Sequence, residues 1–166
     1  MEKVYNVLFL SRRNSARSLM AELVLNRHGR GKFCAFSAGV EPSPNVDPIA
    51  LDVLRQAGYA TDGLQPKHWR KLSGRDGPIL DSVFTLSDTA AGETLPEWRG
   101  RPATAHWQYP DPIKAEGDQW EKKRAFGLVL AGIERQLQIF VQLPFGSLEP
   151  MALKTRLDEL GSACGE

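Results

Sequence analysis

Along this chain, short apolar runs alternate with stretches in which apolar residues recur every three or four positions. Residues 4–10 (Val-Tyr-Asn-Val-Leu-Phe-Leu) are apolar and rich in β-formers, which predicts a buried parallel strand. Residues 16–28 place apolar side chains at 16, 19, 20, 23 and 24, the spacing of a helix, and Gly29 and Gly31 end it. Residues 32–36 predict a second strand, followed by Ser37-Ala38-Gly39, and 40–47, with two prolines, a loop. Residues 48–57 predict a helix with Asp47 as N-cap, Pro48 in the first position and Gly58 at the C-cap.

The second half is less regular. Residues 64–77 are basic and without period; 79–86 predict a third strand, 87–101 a loop or broken helix, 103–107 a short fourth strand and 109–112 a turn. Residues 119–143 form the longest helical stretch, with one apolar face at 126, 129, 130, 133, 137, 140 and 141, stopped by Pro144 and Gly146. A short helix over 148–160 completes a helical tail from about 146, and the last few residues are expected to fray. Strands alternating with helices, without internal repeats, predict an α/β fold: a three-layer sandwich with a four-stranded, mainly parallel sheet, formed by residues 1–166 as one domain. In such sheets ligands sit at the carboxyl ends of the strands.

Composition narrows the function. The 166 residues, 42% hydrophobic and 25% charged, are those of an ordinary globular chain. The net charge of +1 argues against bulk nucleic-acid binding. No apolar run reaches membrane-spanning length and the amino terminus lacks a leader pattern, so a cytoplasmic protein is expected. Two cysteines, Cys34 and Cys164, do not make a disulfide framework. His28, His68 and His106 lie far apart, so neither a metal nor a cofactor is expected.

The informative segment is Ser11-Arg12-Arg13-Asn14-Ser15-Ala16-Arg17-Ser18, between the first strand and the first helix. A helix N-terminus presents unpaired N–H groups and partial positive charge, and a loop wrapped over it aims further amides at one point. Arg17 adds a planar fork suited to a tetrahedral oxyanion, Asn14 can brace the loop, and Ser18 can donate to position 11. The bland alternative is a strand–turn–helix joint with solvated arginines. The loop lacks Gly and a Gly-Lys-Ser/Thr ending, which makes a nucleotide triphosphatase improbable.

Residues 7–22 closely resemble the start of the low-molecular-weight protein tyrosine phosphatase superfamily, and its arsenate reductase branch most of all. Members of that superfamily begin with a strand, then Cys-x5-Arg-Ser, then a helix. Ser37-Ala38-Gly39 resembles the family's second-strand ending and Asp111-Pro112 its general-acid motif; the match runs in order over residues 4–143. The resemblance implies that the loop cysteine is the nucleophile, that Arg17 clamps the oxyanion, that Ser18 stabilises the thiolate and that Asp111 protonates the leaving group. By the same resemblance the amides of Arg12, Arg13, Asn14, Ser15, Ala16, Arg17 and Ser18 surround the anion. A thiolate at a helix N-terminus beside Arg has a lowered pKa and attacks phosphorus or arsenic well.

The chain departs from this pattern in two places. The nucleophile position holds Ser11, whose unactivated hydroxyl is a far weaker nucleophile, and nothing in the sequence marks a base for it. His106 or His68 could approach only through the fold. Thioredoxin-coupled arsenate reductases carry two further cysteines after the third strand, where Ser87 and Leu95 stand here. Cys34 falls in the second strand and Cys164 in the tail. Ser11 is then either a natural loss of the thiol or an introduced Cys-to-Ser substitution.

Three functions follow. The first is a catalytically impaired arsenate reductase/phosphatase-like protein that binds phosphate, sulfate or arsenate, or a phosphorylated protein. The second is an active arsenate reductase or tyrosine phosphatase. The third is an interaction module with Trp69, Trp98, Trp107 and Trp120 partly exposed as contacts.

Overall fold

A computed structural model describes residues 3–92 and 95–162 of the chain. Four strands form one sheet: β1 (Tyr5–Ser11), β2 (Phe33–Gly39), β3 (Ser82–Thr85) and β4 (Ala103–His106), in the order β2-β1-β3-β4, all pairings parallel. Five helices follow the strands: α1 (Arg17–His28), α2 (Pro48–Gln56), the four-residue α3 (Asp88–Ala91), α4 (Gln119–Phe140) and α5 (Pro150–Ser162). The predicted α/β fold with a parallel sheet flanked by helices is the observed one.

Both faces of β1 are apolar because both are covered. Val7 and Phe9 point into the larger core, with Met20 and Val24 of α1, Ala50 and Leu54 of α2, Phe126, Ile133 and Phe140 of α4, and Leu157 of α5. Leu8 and Leu10 point the other way, toward Ala38, Val83, Ala90 and Trp98, with Trp69 and Leu72 packed alongside. That second cover is thin: a 3-10 turn, Trp69–Leu72, the short α3 and the loop around Trp98. Phe84 anchors the larger core, stacked on Phe9 and packed against Trp107 and Phe140, with ring centroids 5.6, 4.1 and 5.4 Å away. Burying an aromatic side chain of this size contributes about 2–3 kcal/mol by area alone.

Several boundaries differ from expectation. β1 starts at Tyr5 and runs through Ser11, and β2 continues through Ser37-Ala38-Gly39, because the two strands stay in register to the pair Ser11 and Gly39. β3 begins only at Ser82: Ile79 is 53% exposed, and Asp81 turns to accept from Asn6 N–H and Lys3. Ala16 is the N-cap of α1, not its first residue. Asp47 caps α2 as predicted, accepting from the amides of Ile49 and Ala50; the C-cap is Ala57, with Gly58 one residue beyond at φ +87°. α4 stops at Phe140 and α5 starts at Pro150, and the expected turn at 109–112 runs into a 3-10 turn, Pro112–Lys114. The tail expected to fray and Cys164 lie outside the described residues.

Candidate functional site

The joint between β1 and α1 is held from its outer side. The carbonyls of Ser11, Arg12, Arg13 and Ser15 accept from the amides of Val40, Glu41, Ser43 and Asp47, at 3.3, 2.8, 2.9 and 3.0 Å. In a trans peptide the carbonyl and the following N–H point in opposite directions. The amides of Arg12, Arg13, Asn14 and Ala16 therefore face away from the 40–47 segment. One of them, the Asn14 amide, donates to Ser11 Oγ at 3.2 Å. Helix α1 adds its own first-turn N–H groups, since Ala16 makes no side-chain cap and the first turn holds no acidic residue.

Side chains lock the loop from within. Ser11 Oγ and Ser18 Oγ share a hydrogen bond of 2.7 Å, and Asn14 Nδ2 donates to Ser18 Oγ at 2.7 Å. Asn14 Oδ1 accepts from the Lys67 amide at 2.9 Å, so the same residue ties the loop to the basic segment after α2. Asn14 is fully buried and sits at φ +51°, a conformation Asn tolerates better than most residues. Gly39 is required beside it: a Cβ there would lie 2.9 Å from the Arg12 carbonyl oxygen and 3.0 Å from the Asn14 amide nitrogen.

The loop lines a cavity of about 220 Å³ together with Asp111, Ile113 and Lys114. Arg17 is buried, and its Nη1 donates to the carbonyls of Tyr109 (3.0 Å) and Leu86 (3.4 Å), which follow β4 and β3. Its Nη2 lies 3.6 Å from Asp111 Oδ2. Asp111 caps the turn Pro112–Lys114, its Oδ1 accepting from the Ile113 amide at 3.1 Å. The guanidinium and the carboxylate thus line one cavity as a close pair, each fixed by backbone groups.

Other candidates fall elsewhere. Among the described residues no histidine lines this cavity. His28 is exposed at the end of α1, His68 accepts from the Arg70 amide, and His106 shares a hydrogen bond with Thr85 Oγ1. Ser87 is buried, with its hydroxyl accepting from the Ala90 amide, and Leu95 packs on the second core cluster. Cys34 pairs with Asn6, five residues down the strand from the Ser11–Gly39 pair, roughly 16 Å away at the strand rise. Trp107 and Trp98 are buried and Trp69 is half-buried, so only Trp120, 68% exposed, fits the expectation of a contact tryptophan. Ile113, Lys114 and the anchoring role of 40–47 escaped sequence reasoning, because none carries a motif.

Residues 6–149 match the description low molecular weight phosphotyrosine protein phosphatase. The chain belongs to that family. An arsenate reductase of Bacillus licheniformis is 30% identical over 144 residues, which span 82% of this chain and 94% of that protein. A solved arsenate reductase described as being in the phosphate binding state superposes with a TM-score of 0.68 at 27% identity, covering 83% of this chain and 97% of that one. The arsenate reductase from Archaeoglobus fulgidus gives 0.66 at 26% identity, over 82% and 99%. Among the described residues no helix is long and apolar enough to cross a membrane, and no group of His, Cys, Asp and Glu could hold a metal ion.

Proposed function

We propose that this chain is an oxyanion-binding member of its family that has given up thiol chemistry. In this reading the loop 11–18 holds a phosphate- or arsenate-type oxyanion, free or carried on a phosphorylated protein. The inward amides of the joint and the α1 N-terminus supply the donors, Arg17 supplies the charged fork, and a similar arsenate reductase has been seen in a phosphate binding state.

The observation that carries the loss of turnover is the state of Ser11. Its hydroxyl bonds to Ser18 and accepts from the Asn14 amide, and neither group is a base. Donors converging on position 11 would stabilise a thiolate, but a neutral hydroxyl there is only satisfied, not activated. The reductive route lacks its partners as well, with Ser87 and Leu95 at the relay positions implied by the family pattern and Cys34 far down the sheet.

Arg17 and Asp111 line the cavity, and Ser18 is buried beside Ser11 with their hydroxyls bonded, an arrangement that supports a direct test. Wild type and Ser11→Ala should hydrolyse an aryl phosphate negligibly, whereas Ser11→Cys should acquire a low-pKa thiol and phosphatase activity. Robust wild-type hydrolysis that disappears in Ser11→Ala would overturn the reading.

A further inference from the structure

Two segments carry a charge pattern unlike the rest of the chain. Residues 11–18 and 65–75 together hold seven of the 21 Lys and Arg residues and none of the 20 Asp and Glu residues. They are not independent. The Lys67 amide donates to Asn14 Oδ1 at 2.9 Å, the Gly39 amide donates to the Lys67 carbonyl at 2.8 Å, and Gly39 and His68 form a bridge that extends the sheet by one pairing. The basic segment is thereby bolted to the edge of the oxyanion loop.

Its cations face solvent. Arg70, Lys71 and Arg75 are exposed, and so is Arg13 beside the cavity. Arg12 lies 3.6 Å from Glu41 in a pair that is itself largely solvated, and Arg17, inside the cavity, faces Asp111. Beyond Arg75 the surface continues into an open groove of about 1020 Å³ lined by Arg75, Arg99 and Arg101, with Glu97 the acidic residue in its wall. A free inorganic oxyanion would need only the loop. A strip of exposed cations running outward from it suits a ligand that brings additional negative charge at fixed distances from its phosphoryl group.

We propose that this strip is a docking surface for acidic residues flanking a phosphorylated side chain, so that the loop's ligand is an acidic phosphoprotein segment. This rests on the reading of loop 11–18 as an oxyanion site. A peptide fits better than a nucleic acid because the aromatic of the strip is not offered for stacking: Trp69 packs inward against His68 and Trp98, with the Arg70 guanidinium over it.

The test measures binding of inorganic phosphate and of two phosphotyrosyl peptides, one with acidic and one with neutral flanks, to wild type and to Arg70→Glu/Lys71→Glu. Both substituted residues are exposed, and a thermal melt checks that the variant folds. The acidic peptide should bind wild type about tenfold more tightly than the neutral one at low salt, from a few solvated charge pairs, and the advantage should vanish at high salt. In the variant the advantage should disappear while phosphate binds as before. If phosphate binds but the two peptides are equal, or if the variant keeps the preference, the docking surface is wrong and the loop reading stands. If neither phosphate nor peptide binds wild type, the loop reading fails and takes this proposal with it. A single-stranded oligonucleotide that competes as well as the acidic peptide would also overturn it.

Discussion

Strands β1 and β3 are neighbours in the sheet, and each ends in a joint at the carboxyl edge, where parallel sheets place their ligands. The two joints are built from opposite materials. After β1, four carbonyls turn outward to the 40–47 segment, a buried Asn–Ser–Ser cluster fills the inside, and a 12-residue helix follows. After β3, the chain makes a four-residue helix whose surroundings are Leu86, Ala90, Leu95 and Trp98, with the Ser87 hydroxyl on the Ala90 amide as its polar tie. The first joint surrounds its cavity with polar loop residues; the second borders its own with mostly apolar ones, Val83, Ala91, Leu95 and Trp98. Position in the fold offers a site, but the polar framework decides whether anything can be held there. The second joint still serves the first, since the Leu86 carbonyl helps hold Arg17.

The largest effect should come from restoring chemistry to the first joint and then removing its acid. In a Ser11→Cys background, Asp111→Asn should lower aryl phosphatase activity about 10²–10⁴-fold, the usual worth of a general acid, read from steady-state kinetics. Thioredoxin as sole reductant should support no arsenate reduction by Ser11→Cys, because Ser87 and Leu95 cannot pass the disulfide on. Activity unaffected by Asp111→Asn would remove Asp111 from the account.

Next comes the framework itself. Asn14→Ala deletes the bonds to Ser18 and to the Lys67 amide and puts Ala at φ +51°. It should cost about 2–4 kcal/mol in denaturant unfolding and weaken phosphate binding together with stability. The matching change in the second joint, Ser87→Ala, removes a cap of a short helix and should cost only about 1 kcal/mol, leaving phosphate affinity unchanged. Equal losses of affinity in the two variants would erase the distinction between the joints.

The smallest effect lies between α1 and β2. Burial pushes the Glu22 carboxyl above its ordinary pKa, opposed by Lys67 and by the hydrogen bond from Ser37. Between the ordinary and the raised value the folded state holds more protons than the unfolded one, so stability falls as pH rises through that window. Glu22→Gln should therefore melt higher than wild type at neutral pH, and the gap should close below the ordinary Glu range. A gap that persists at low pH would mean that packing, not ionisation, is responsible.

Much of this was legible in the sequence, for reasons the structure makes plain. α1 and α4 announce themselves by their apolar period and α2 by its caps, and the loop by its place after an apolar run, whereas the Asp118 cap of α4 went unread. Strand limits were less legible, because Ile79 and Leu80 are apolar without lying in β3 and Ser37 to Gly39 are small without leaving β2. The charge of 65–75 was visible, but its closeness to the loop depends on contacts of Gly39, His68 and Asn14 that cross more than 25 residues of chain. Ile113 and Lys114 reach the cavity only because Asp111 caps their turn.

The central claim is that loop 11–18 holds an oxyanion through its amides and Arg17, and titration calorimetry of phosphate into wild type and Arg17→Ala tests it most directly. Wild type should bind saturably with one site, and a folded Arg17→Ala should bind at least tenfold more weakly, as expected for losing charge-assisted hydrogen bonds worth about 1.5–3 kcal/mol. No saturable heat in wild type, or equal affinity in the two proteins, would contradict it.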